Sequence, residues 1–346
     1  MKFLSRILLI VLPTAGLTWF LICLFAGCTV GLQPLGDTVE EEVESALDHG
    51  FDGIIVCVNW PGKTELHAAG WKNRANQVPA DPQALFKIAS ISKLYLAAAT
   101  AKLVQADRLS LDQTLAEYLP EIASRIEYAD QITLRMLVQH RSGIPNYSDH
   151  PDYPWETPYE RASDTYALVY DQPADFKPDQ KYRYSNTNYL LLGDILDKTL
   201  GYSHHQYVRE AILEPLGLQH TYSLYREVDP ADVMSGYFIG WEPDVKVNDF
   251  VQPGGSMVAT AEDVAVFLRA LIDGSLFTPE EQAIYSSVYV YEHTGLLPGY
   301  QSIARYHEDL DVVVVQFVNT SGKNAWSQAE RVYRRIVRVL EKANEG

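Results

Sequence analysis

Apolar positions along the chain change period several times. Gly53 to Asn59 is a β-branched, nearly unbroken apolar run, Trp60-Pro61-Gly62 is a turn, and Thr64 to Trp71 reads as a second strand. The pair predicts a hairpin. Ile54 to Val58 is apolar on both faces, so helices are expected on both sides of the sheet. From Ile88 the period becomes helical. Ala97, Ala98, Ala99 and Ala101 lie among Leu94, Leu96, Leu103 and Val104, and a helix apolar all round is a buried one. Thr38 to His49 predicts an acidic helix ending at Gly50, and Ser110-Leu111-Asp112-Gln113 matches a capping box opening a helix toward Tyr118. Thr133 to Gln139, Tyr189 to Thr199, His205 to Ile212 and Ala261 to Ile272 are further helices. Ser287 to Glu292, Tyr300 to Tyr306 and Val312 to Asn319 read as strands, and Trp326 to Ala343 as a closing amphipathic helix. Strands from both chain ends thus enclose a mostly helical block. The expected class is α/β (α+β): an antiparallel sheet flanked by helices, with an inserted mostly helical domain.

The first residues follow another pattern. Lys2 and Arg6 form a basic head, Ile7 to Phe25 is almost wholly apolar, and Phe25-Ala26-Gly27-Cys28 follows. This is the layout of an export signal, and its small-small-Cys ending resembles a bacterial lipobox that would lipidate Cys28. A run of about 19 residues could instead stay uncut and span a bilayer. Either reading places the rest of the chain outside the cytoplasm, tethered to a membrane as a periplasmic or cell-surface protein. The divisions expected are residues 1–28 as signal, 29–37 as linker and 38–346 as the folded domain. Within it, a sheet part covers about 38–87 and 284–346, and a helical part about 88–283.

With 346 residues, 47% of them hydrophobic, the chain can bury a full core. A net charge of -17 leaves no basic stripe for phosphates, which argues against nucleic acid as a partner. Cys57 lies in an apolar run with no evident disulfide partner and reads as a buried small hydrophobe, and His204-His205 lacks companions at zinc-ligand spacing.

Three short stretches carry chemistry. In Ser90-Ile91-Ser92-Lys93 the serine and lysine share a helix face. A serine hydroxyl needs a base, and lysine serves as one only if burial or a nearby cation lowers its pKa. Tyr184-Ser185-Asn186 offers a phenol that could pass protons if cations such as Lys93 lower its pKa, and an amide suited to a substrate amide. In His293-Thr294-Gly295-Leu296 a glycine on a strand suggests close backbone approach. If that strand faces Ser90, the Leu296 and Ser90 backbone N–H groups could form an oxyanion hole. Each stretch alone is common. Tyr153, Trp155, Tyr159, Tyr166 and Tyr170 could rim a cleft or simply pack the helical block.

Together and in this order, the three resemble the serine β-lactamase and penicillin-binding-protein family, in its class C β-lactamase and DD-peptidase branch. Further matching stretches are Ile132 to Leu137, Ser142-Gly143-Ile144-Pro145, Pro215-Leu216-Gly217, Gly254-Gly255-Ser256 and Pro298-Gly299-Tyr300. The resemblance implies that Ser90 is acylated, that Lys93 shares its proton and that Tyr184 is a general acid/base. It also implies that Asn186 binds the substrate amide, with His293, Thr294 and Gly295 on the substrate. His293 and Thr294 would give electrostatic help and hold a carboxylate. His293 and Leu296 depart from a dedicated β-lactamase, which carries lysine and a small or hydroxylated residue there, and Asp179 stands in place of a glycine in the turn before Tyr184. The expected reaction is acyl transfer to water on a D-amino-acid peptide or related amide, without metal or cofactor. A carboxylesterase of the same family is the alternative, and an idle binder of cell-wall peptide or a partner is the rival of another class.

Overall fold

The computed structural model describes residues 34–242 and 244–345. The basic head, the apolar run and Cys28, the residue expected to be lipidated, lie outside the described residues, as does most of the 29–37 linker. From Thr38 onward the chain forms one folded unit, and among the described residues no helix is long and apolar enough to cross a membrane.

A short acidic helix α1 (Val39–Ser45), capped by Thr38, leads through a 3-10 turn to Gly50. The predicted hairpin follows as β1 (Gly53–Trp60) and β2 (Lys63–Asn73), with the short β3 (Val78–Pro79) beside it. The Ser90 segment forms a 3-10 turn, Ala89–Ile91, that runs into α2 (Ser92–Gln105). The helical block carries α3 (Asn186–Leu200), α4 (Ala261–Asp273) and α5 (Pro279–Val288). The chain then returns to the sheet as β4 (His293–Leu297), β5 (Tyr300–His307) and β6 (Val312–Val318), and closes with α6 (Ala325–Glu345).

The main sheet has the order β3-β2-β1-β6-β5-β4. Its pairings are antiparallel, with Ile54 opposite Val318 and Gly295 opposite Ser302. β1 and β6 are buried almost throughout, because α4 packs on one face while α1 and α6 lie on the other. The two-sided apolar run predicts this cover. Closing the sheet with strands from both chain ends leaves β4 at an edge, against the Ala89–Ile91 turn.

Two expectations shift. The capping box sits at Thr114 and Glu117, on the short helix Leu115–Tyr118, rather than at Ser110. Glu117 accepts from the Thr114 backbone N–H at 2.7 Å, whereas the Ser110 Oγ accepts from the Asp112 N–H at 3.4 Å. Ser287 to Glu292 is not a strand. A second box, Thr278 with Glu281, and Pro279 at the first position drive a helix through Val288, and that helix packs on α2. The expected division at residue 284 therefore falls inside α5.

Candidate active site

Ser90 sits where a strained turn meets a buried helix. Ala89 holds φ at +52°, a left-handed value unusual for a residue with a side chain. The turn is tied in place by Ser92, whose Oγ donates to the Ala89 carbonyl and accepts from the Met257 N–H. From the sheet, Ser302 Oγ donates to the Ile88 carbonyl at 2.9 Å. β4 lies so close that a Cβ on Gly295 would stand 2.3 Å from the Ile88 carbonyl oxygen and 2.9 Å from the Ala89 Cβ. Only glycine permits that approach.

Lys93 is one helical turn on, 1% exposed. Its Nζ lies 3.2 Å from Ser90 Oγ, 2.8 Å from Asn186 Oδ1 and 2.8 Å from the Gly254 carbonyl oxygen. The close carbonyl depends on Gly254, whose φ is +80° and whose missing Cβ would fall 3.0 Å from Lys93 Cγ. Burial pushes the Lys93 amine down from 10.5 to about 7, because among the described residues no carboxylate balances the desolvated charge. As a neutral amine, Lys93 donates to Asn186 and Gly254 and turns its lone pair toward Ser90.

The Tyr184 hydroxyl lies 2.8 Å from the same Ser90 Oγ. Burial raises its pKa above the usual phenol range, with the Ser90 contact opposing. The expectation of a lowered phenol is therefore reversed. Lys93 Nζ lies 5.1 Å from the Tyr184 ring centroid, but a lysine that burial leaves half neutral gives little field. Tyr184 consequently stays protonated and serves as a donor.

Asn186, in the first turn of α3, is committed on both ends of its amide. Oδ1 accepts from Lys93, and Nδ2 donates to Ser148 Oγ at 3.0 Å. His293 also differs from expectation. Its Nδ1–H donates to the Thr294 carbonyl at 2.5 Å, and burial with Lys93 nearby lowers its pKa to about 4. At neutral pH it is an uncharged imidazole, and the electrostatic help expected of it is absent. Asp179, standing where the turn would carry glycine, keeps a left-handed φ of +64° and is held by Arg141.

Sequence reasoning missed His140. This buried imidazole, with φ at +57°, tilts against the Tyr184 ring at 4.4 Å between centroids. Its Nδ1 accepts from the Ser185 N–H, which makes Nε2 the protonated nitrogen, and Nε2 has no partner among the described residues. Its place two residues before Ser142, at the end of the helix Leu134–Val138, was the available signal. Ser148 was missed as well. Cys57 is buried, with its thiol pushed up by desolvation. Of the five aromatics, Tyr153 and Trp155 line a cavity with Ser90. Tyr166 and Tyr170 stack on each other, with Tyr166 bonded to Asp194.

Two spaces flank the Ser90–Tyr184 pair, the first lined by Tyr184 and the second by Ser90. On the Tyr184 side opens a cleft of about 690 Å³, lined by His140, Tyr182, Tyr184, His293, Thr294 and Arg305 among others. On the Asn186 side a narrow space of about 40 Å³ runs between Ser90, Tyr153, Trp155, Leu296 and Leu297.

A sequence model of the Beta-lactamase family matches residues 35–288. Penicillin-binding protein 4 of Amycolatopsis lactamdurans is 29% identical over 238 residues, covering 65% of this chain and 61% of that protein. Penicillin-binding protein 4* of Bacillus subtilis (strain 168) is 25% identical over 225 residues, covering 64% of this chain and 47% of that protein. The chain matches less than two thirds of the length of either relative. Among solved structures, D-amino acid amidase from Ochrobactrum anthropi SV3, complexed with D-phenylalanine, superposes with a TM-score of 0.78 at 21% identity. That match covers 88% of this chain and 98% of the other. A penicillin binding protein from Bacillus halodurans gives a TM-score of 0.71 at 21% identity, covering 84% and 98%. At these identities the two structures share the fold.

Proposed function

The chain belongs to the Beta-lactamase family, and from that premise we propose that it is a serine hydrolase that cleaves D-amino-acid amides or peptides through an ester on Ser90. The observation that carries this reading is the convergence on one hydroxyl: a lysine that burial brings to about 7 and a protonated tyrosine both contact Ser90 Oγ. A lysine titrating there is about half amine at neutral pH, which suits a general base.

The steps follow from the donors. Lys93 takes the Ser90 proton as Oγ attacks the substrate carbonyl. The oxyanion is assigned to the backbone N–H groups of Ser90 and Leu296, the latter on the edge strand that lines the Ser90 cavity. Tyr184 protonates the leaving nitrogen, the C–N bond breaks, and the site is left with a Ser90 ester, a Lys93 ammonium and a Tyr184 phenolate. Water entering the vacated side gives its proton to the phenolate and attacks the ester. The ammonium returns its proton to Ser90 Oγ as the C–O bond breaks. Asn186 holds Lys93 rather than standing free for substrate.

A carboxylic ester is the second reading, favoured by the uncharged His293 beside Thr294. A substrate carboxylate placed there would meet no cation from His293, which also argues against efficient β-lactam turnover. The test is hydrolysis of D-amino-acid amides and p-nitrophenyl esters by wild type and Ser90→Ala, with a fluorescent penicillin as a covalent label. Equal rates for the two proteins would overturn the reading. The same proposal keeps the enzyme outside the cytoplasm, tethered through a lipid on Cys28 or an uncleaved anchor over Ile7 to Phe25. Intact mass of membrane-extracted protein separates the two, since a lipidated chain starts at Cys28.

A further inference from the structure

Across Leu296 and Leu297 from the narrow space beside Ser90 lies a second cavity of about 330 Å³. Both are lined by Trp155, Leu296 and Leu297. The far walls of the second cavity come from three distant parts of the chain: Phe238 and Trp241, Pro298 in the β4–β5 turn, and Trp326 in the first turn of α6. Phe238 and Trp241 pack ring to ring at 4.5 Å, and Trp155 packs on Tyr153 at 4.7 Å. Leu296 stands 55% exposed between the two spaces. An exposed leucine within a wall of three tryptophans is apolar surface left open to a ligand.

The chemistry of the site says which part of a substrate reaches it. Tyr184 is the donor to the leaving group and opens on the His140–His293 cleft, so the leaving group departs on that side. The acyl group must then extend the other way, along Leu296 and Leu297. We propose that this tryptophan-lined cavity is an acyl-side subsite that selects substrates with a large apolar arm, an aryl-alkyl or medium-chain alkyl group. Its volume is about twice the ~150 Å³ that a benzene-binding apolar cavity provides, enough for a phenyl ring with a short linker. The inference rests on the serine hydrolase reading for the direction of the acyl group.

The experiment pairs kinetics with binding. For wild type, kcat/KM on p-nitrophenyl esters should rise from acetate to octanoate by about tenfold or more, since each buried methylene adds favourable transfer energy. Trp241→Ala with Trp326→Ala should remove that gain while leaving acetate within about twofold. Separately, octanamide titrated calorimetrically into Ser90→Ala protein should bind saturably, and the double substitution added to Ser90→Ala should abolish that binding. A flat chain-length profile in wild type, which needs no variant to fold, together with no octanamide binding, overturns the subsite and leaves the serine chemistry standing. An equal fall on acetate and octanoate in the double variant also overturns it. Saturable octanamide binding lost in the variant, with no Ser90-dependent hydrolysis of any ester, supports the subsite and sinks the serine reading instead.

Discussion

Replacing Lys93 by methionine keeps the unbranched side chain to within its terminal nitrogen and removes its titration. In the native protein burial lowers the amine from 10.5, its ordinary value, to about 7. Between those limits the unfolded chain holds a proton that the native chain has lost. Raising the pH there removes it from the unfolded state only, so native stability rises across this window. Below about 7 both states are protonated and the full cost of burying the charge is present. At about 1.36 kcal/mol per pH unit, that cost is about 5 kcal/mol. Lys87, also buried and lowered to about 7, is common to both proteins and cancels in their difference. Methionine leaves Asn186 Oδ1 and the Gly254 carbonyl without their donor, at about 1–3 kcal/mol each, but this penalty does not change with pH. Urea titrations should therefore give a wild-type minus Lys93→Met difference that is flat below about 7. Above it, the difference should grow in favour of wild type by a little over 1 kcal/mol per pH unit. In the same buffers wild-type kcat/KM on an ester should climb through an apparent pKa near 7, and the variant should fall by about 10²–10⁴. A stability difference that stays flat up to pH 10, or an acid limb far below 7, would refute the assignment of Lys93 as a desolvated base.

The other positions give simpler expectations. Tyr184→Phe should lower kcat/KM on an unactivated amide by about 10²–10⁴ but far less on p-nitrophenyl esters, whose leaving group needs no proton; equal losses on both would remove its role as donor. His293→Gln should leave ester kcat/KM within about fivefold between pH 6 and 8, because an imidazole lowered to about 4 carries no charge there; a large loss confined to the acid side would mean the ring is cationic. Gly295→Ala places a methyl against the Ile88 carbonyl and should cost about 10² in kcat by moving β4 off the Ser90 turn. Circular dichroism should still report a folded protein, and wild-type rates would refute the close approach.

Much of this protein is written locally. The two-sided apolar run from Ile54 to Val58 and the alanine-rich stretch after Ser90 determine a doubly covered sheet and a buried helix, because burial period depends only on neighbours along the chain. Spacing alone aligns Ser90 with Lys93, since residues three apart share a helix face. The phenol and amide of Tyr184 and Asn186 stood out by chemistry, the family resemblance tied them to the Ser90–Lys93 pair, and the structure brings both there. Local reading failed where two signals competed, as at Ser287 to Glu292, where a capping box and a proline outweighed strand-like composition. Protonation states were beyond it altogether. Tyr184 rises, His293 falls and Lys93 falls because each is desolvated by residues far away in sequence. For the same reason no short motif announced the cavity built from Trp155, Trp241 and Trp326, and only its place near Ser142 signalled His140 beside Tyr184. Sequence by itself determined which groups could react. Tertiary packing decided how deeply each is buried, and which spaces lie beside Ser90 and Tyr184, because both depend on distances between chain segments that no local pattern encodes.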